Sequence, residues 1–172
     1  MIANSTNLAF VQTTQQTKIA IDSQAGVELA LRFVAFRSVK YQAGLDVHEY
    51  LDDALMKIAT DGAFDMADEG NVFAKTFQFL AEALGDEAFK RWNGQNFAGK
   101  FLMSVFEVLS TGVSHNLAEL EAMSLEERNE FIKEAAKNLW TNQTFIQNSG
   151  AGVRGTTRLS RLLPIAADLL KP

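Results

Sequence analysis

Apolar side chains recur at three- and four-residue intervals along most of this chain, the spacing of one helix face. Gly26 to Val39 reads Gly-Val-Glu-Leu-Ala-Leu-Arg-Phe-Val-Ala-Phe-Arg-Ser-Val. It is apolar nearly all round, which predicts a central buried helix stopped at Gly44. Asp46-Val-His-Glu49 has the spacing of a capping box and opens a helix to about Ala59. Val47, Tyr50, Leu51, Ala54, Leu55 and Ile58 share one side of it, and Gly62 breaks it. Phe73, Phe77, Leu80, Ala81 and Leu84 mark a further helix ending at Gly85. Asp86 is placed to cap a short helix containing Phe89, and Trp92-Asn-Gly94 reads as a turn. Phe97 to Leu109 is helical again, with Phe101, Leu102, Val105, Phe106 and Leu109 as its stripe. Ser124-Leu-Glu-Glu127 is a second capping box, opening a helix to about Trp140 with Leu125, Ile132, Ala135, Ala136 and Leu139 inward. Pro164 is expected to split the last helical run, Thr156 to Leu170.

The start of the chain differs. Leu8-Ala-Phe-Val-Gln-Thr-Thr14 and Lys18-Ile-Ala-Ile21 are rich in β-branched residues and lack helical spacing, which predicts extended or strand-like backbone. The fold expected is mainly α, a compact bundle of about five to seven helices with a short extended segment at the N-terminus. A length of 172 residues suits one domain. Residues 1–172 are read as that domain, with 1–22 as an extended or poorly ordered leader and 23–172 as the helical core.

Composition removes several chemistries. The sequence holds no Cys, so disulfides, thiolate metal sites and Cys nucleophiles fall away together. Its two His, His48 and His115, stand apart and are read as structural; no cofactor or metal is expected. No apolar run reaches membrane-spanning length, and Met1 to Asn7 has neither the basic nor the apolar region of a secretory signal. A cytoplasmic location with no membrane contact is therefore the expectation.

Net charge is −5, so the total field does not steer this chain toward nucleic acid. The charge is uneven. Between Asp46 and Gly70, eight carboxylates stand against Lys57 alone. From Thr141 onward, Arg154, Arg158, Arg161 and Lys171 face only Asp168. Arg154, Arg158 and Arg161 are spaced four and three apart and share a face if the helix begins by Arg154. Two readings of that face stand: a solvated cover whose alkyl stems pack on the core, or a contact for phosphate or an acidic partner.

Gly150-Ala-Gly152-Val-Arg-Gly155 matches the glycine pattern of dinucleotide-binding turns, but a helix precedes it and no βαβ unit surrounds it. It reads first as a connector and second as an anion-binding loop ahead of Thr156. Arg32, inside the most apolar helix, requires a partner, and Glu28 one turn earlier can reach it. Asp65-Met-Ala-Asp68-Glu69 lacks the rhythm of a calcium loop and reads as a solvated helix start.

Leu29-Ala-Leu-Arg-Phe-Val-Ala-Phe36 resembles the Leu-Arg-Phe helix of the family represented by the N-terminal domain of GmrSD-type, modification-dependent restriction enzymes. Tyr41-Gln-Ala-Gly44 followed by Tyr50-Leu51-Asp52 is similar to that family's Tyr-x-Gly turn and Phe-Leu-Asn-like helix. Phe77, Leu80, Leu84-Gly85 and Ala88-Phe89-Lys90, and the stretch from Phe97 to Leu109, resemble its later segments. The resemblance runs from about Ser23 to Leu163. Family members carry, ahead of this region, a ParB/sulfiredoxin-like α/β portion with an Asp-Gly-Gln-Gln-Arg motif associated with nucleotide hydrolysis. Thr14-Gln-Gln-Thr17 has neither the Asp-Gly nor the Arg. The resemblance therefore implies the helical portion without the catalytic one, and it carries no catalytic residue onto this chain. The function it implies is a non-catalytic scaffold or interaction module in restriction and phage defence, with an α/β domain or subunit as partner and a homo-oligomer left open. The alternative is DNA or phosphate binding through Arg154, Arg158 and Arg161. A small hydrolase is the weakest reading.

Overall fold

The computed structural model describes residues 2–15 and 25–172, and these are mainly helical. Ten α-helices are described: α1 Ile2–Ser5, α2 Leu8–Thr13, α3 Ala25–Ser38, α4 Val47–Thr60, α5 Met66–Leu84, α6 Met103–His115, α7 Leu117–Glu121, α8 Leu125–Asn138, α9 Gln143–Ser149 and α10 Gly155–Leu169. Six of them run 13 residues or longer and form the body of the bundle. Between α5 and α6, strand β1 Arg91–Trp92 pairs antiparallel with β2 Phe97–Ala98.

The most enclosed helix is α6, not the Gly26–Val39 segment: every residue from Ser104 to Ser114 is buried. It packs against α3, α5 and α10. Its closest approach is to α10 at Gly112, where a Cβ would stand 2.4 Å from the carbonyl oxygen of Ala166. The bare glycine surface is what lets the two backbones meet. A Phe cluster fills the centre. Phe10, Phe33, Phe73 and Phe77 are each fully buried, with neighbouring ring centroids 4.6–5.4 Å apart in tilted or edge-on pairs. A second, smaller core joins α4 to α3 and α10 through Phe36, Tyr50, Leu51, Ala54 and Leu159. Burial pushes the Tyr50 phenol up from its ordinary pKa. Its oxygen lies 2.7 and 2.6 Å from the carbonyls of Ala35 and Val39 at the end of α3.

Several boundaries follow the sequence reading. Ser124 and Glu127 form the reciprocal capping box expected of them. Asp46 caps α4 through the His48 N–H at 2.9 Å, without a return bond from Glu49. Gly85 ends α5 at φ +56°.

Four expectations are corrected. Leu8–Thr13 is a helix, not an extended segment. Asn7 caps it by accepting from the Phe10 N–H, and the hydroxyls of Thr13 and Thr14 donate back to the carbonyls of Ala9 and Phe10. Burial of Phe10 against Phe73 and Phe77 outweighs the weak strand preference of the β-branched residues. The Lys18–Ile21 stretch lies outside the described residues. Phe89 follows a single 3-10 turn, Gly85–Glu87, and sits in no helix. Phe97 and Ala98 belong to β2, and α6 begins only at Met103. Pro164 does not split α10. Its ring is exposed, while Leu159, Leu162 and Ala166 hold the opposite face in the core. The one missing amide bond then falls on the wet side, where water can serve the freed carbonyl.

Candidate functional site

The basic C-terminal segment does not act as one face. Arg154 is the N-cap residue of α10 and exposed; Arg161 is exposed two turns on. Arg158 turns inward. Its Nε and Nη2 donate to Oε2 and Oε1 of Glu107 at 2.6 and 2.9 Å, a planar two-bond pairing. Glu107 is 0% exposed, in the middle of α6. Burial pushes its carboxyl above the usual range, and the guanidinium groups of Arg158 and Arg32 oppose that push. Arg32 itself pairs with Glu28 through Nη2 at 2.8 Å and Nε at 3.1 Å, as its spacing suggested. Three helices, α3, α6 and α10, thus meet around one buried carboxylate.

A second tie lies between α3 and α5, where Arg37 Nε sits 3.0 Å from both carboxylate oxygens of Glu69. The acidic run at Asp65 is thereby divided. Asp65 caps α5 through the N–H groups of Ala67 and Asp68, while Glu69 is buried against Arg37. The described residues contain no group of three or more His, Asp or Glu arranged to hold a metal. Burial and the Arg37 charge hold the His115 imidazole below its ordinary pKa.

Gly150 to Arg154 is a connector between α9 and α10, with Gly152 at φ +92°. The start of α10 opens onto a hollow that Arg154 and Thr156 share with Asp46. That carboxylate opposes an anion at the helix N-terminus. Gly155 lies so close to α4 that a Cβ would stand 2.7 Å from Cγ2 of Val47.

A larger concave surface lies elsewhere. The Asn93 side chain accepts from the N–H groups of Gln95 and Asn96, both at 2.9 Å, and Gly94 takes φ +97°. These features turn the chain between β1 and β2, and Trp92 pairs with Phe97 across the ladder. At the far wall, α8 ends in a 3-10 turn, Leu139–Thr141, that carries Trp140. The Arg91 guanidinium lies 5.2 Å from the centre of the Trp140 ring, and the Lys137 ammonium 5.2 Å from the centre of Trp92. Each wall lends a cation to the other's indole, which clasps the hairpin to the bundle.

Between the walls is an open cleft of about 780 Å³, lined among others by Arg91, Trp92, Lys100, Trp140, Ile146 and Gly150. No carboxylate is among the described residues lining it. The indole N–H of Trp140 is buried with no hydrogen-bond partner among the described residues. The sequence reading placed Trp92 in a turn and Trp140 at a helix end, and did not bring the two together. The signal that marks the site is Asn93-Gly94 flanked by Trp92 and Phe97, a hairpin signature.

No family model, no curated protein and no solved structure matches this chain.

Proposed function

We propose that this chain is a non-catalytic helical interaction module whose working surface is the hairpin cleft. One observation carries the reading: both Trp residues of the chain line a single open cleft together with Arg91 and Lys100. Aromatic faces beside unopposed cations recognise a partner without transforming it. The engagement of Glu107 by Arg158 and of Glu69 by Arg37 supports the same reading, because the two buried carboxylates are spent on joining helices. The Leu29–Phe36 resemblance supports a place among modification-dependent restriction and phage-defence proteins, with an α/β domain or subunit supplying any chemistry. The alternative, phosphate or DNA binding through Arg154, Arg158 and Arg161, loses its middle member to Glu107 and keeps only two exposed cations.

The purified chain is expected to release no phosphate from GTP or ATP above background. Turnover that disappears when one of its own residues is substituted overturns the reading.

A further inference from the structure

We infer that the hairpin cleft binds a nucleotide unit, a nucleobase bearing phosphate, taken either from single-stranded nucleic acid or from a free nucleotide. The inference rests on the interaction-module reading and names the ligand class of that surface.

Charge sets the first limit. Arg91 and Lys100 stand in a cleft with no lining carboxylate among the described residues, on a chain whose net charge is −5. A local positive hollow on an acidic protein selects an anion and resists a polycationic partner. Lys100 is exposed and has no hydrogen-bond or ion-pair partner among the described residues, so its ammonium is available. The guanidinium of Arg91 is already placed over Trp140, at 5.2 Å from the ring centre.

Shape and polarity set the second. Two indoles line the cleft, each already with a cation over its ring, and a nucleobase is the common anionic-ligand component with an aromatic surface of its own to set against them. The volume of about 780 Å³ lies within the range of ligand-sized sites. The cleft is open to solvent, which suits a strand running through as well as a single nucleotide.

Both Trp residues of the chain line the cleft, so its intrinsic Trp emission reports on this site. The experiment titrates the full chain with oligothymidylate, adenosine monophosphate, inorganic phosphate and polyglutamate, following that emission. Saturable quenching by oligothymidylate or by the mononucleotide is expected. Stronger binding of the strand identifies nucleic acid as the source, and equal binding identifies free nucleotide. For a strand with two phosphates engaged, log K should fall with log salt at a slope of about −1.4. Lys100→Glu should weaken binding by about tenfold or more, Lys100→Arg should retain it, and Arg161→Ala should leave it unchanged. Circular dichroism and Tm establish that each variant is folded.

No emission change from either nucleotide form overturns the inference, as does wild-type affinity in folded Lys100→Glu. Inorganic phosphate binding as tightly as the mononucleotide also overturns it, since the base then adds nothing. Polyglutamate binding as tightly as oligothymidylate overturns the nucleotide assignment while sparing the interaction-module reading. That broader reading fails separately, on phosphate release.

Discussion

Arg158 of α10 reaches the fully buried Glu107 of α6 through two parallel hydrogen bonds, 2.6 and 2.9 Å long. A charge 0% exposed survives in a helical core only because this partner arrives from another helix. Removing the partner alone strands it. Arg158→Ala is therefore expected to cost about 3–5 kcal/mol in urea unfolding. The paired change Arg158→Met with Glu107→Leu should be near neutral or stabilising, because packing replaces two desolvated charges. Equal losses in the single and double variants would contradict the pairing.

Gly112 and Gly70 make opposite predictions from the same substitution. A Cβ at Gly112 would meet the Ala166 carbonyl oxygen at 2.4 Å and Leu170 side-chain atoms at 2.8 and 2.9 Å. Gly112→Ala must push α6 and α10 apart, at about 1–3 kcal/mol or more. Gly70 lies inside α5 with nothing within 4 Å of its Cβ position. Gly70→Ala should stabilise by about 0.4–1 kcal/mol, chiefly by narrowing the unfolded ensemble. Thermal or urea unfolding checks both signs together.

His115 predicts acid sensitivity. Burial first, and the Arg37 charge second, depress its folded-state pKa below 6.5. The unfolded chain then binds the proton more readily than the folded one. The stabilising contribution of the neutral imidazole is complete above 6.5 and is lost as pH falls through the depressed value. Stability measured from neutral pH down through that window should fall less steeply in His115→Gln than in the parent chain. Identical slopes would place the acid sensitivity on other groups.

Much of the bundle was legible because helical spacing and burial agree there. Phe73, Phe77, Leu80 and Leu84 recur at helical intervals and all four are buried in α5. Where local and tertiary forces differ, the sequence misled. Thr13 and Thr14 carry strand preference, yet Phe10 locks their segment into a helix through contacts with Phe73 and Phe77, far along the chain. Pro164 carries a local stop signal that an exposed position on a packed helix absorbs. The site was hidden for a related reason. Trp92 and Trp140 belong to a hairpin and a 3-10 turn well separated in sequence, and no periodicity relates them. Arg158 looked equivalent to Arg154 and Arg161 because nothing near it in sequence reveals Glu107. Arg32, by contrast, was paired correctly, since Glu28 lies one turn away on the same helix.

Ser124 offers a local check on the cap energetics. Its hydroxyl accepts from the Glu127 N–H, while the Glu127 carboxylate accepts from the Ser124 backbone N–H at 3.1 Å. Ser124→Ala should lower stability by about 1 kcal/mol.

The measurement closest to the central claim is a two-dimensional amide NMR titration of the full chain with single-stranded DNA. The side-chain indole signals of Trp92 and Trp140 report directly from the cleft. Both should move, since both rings line the cleft. Indole signals that stay fixed while shifts gather at the amides around Arg154 and Arg161 would contradict the account.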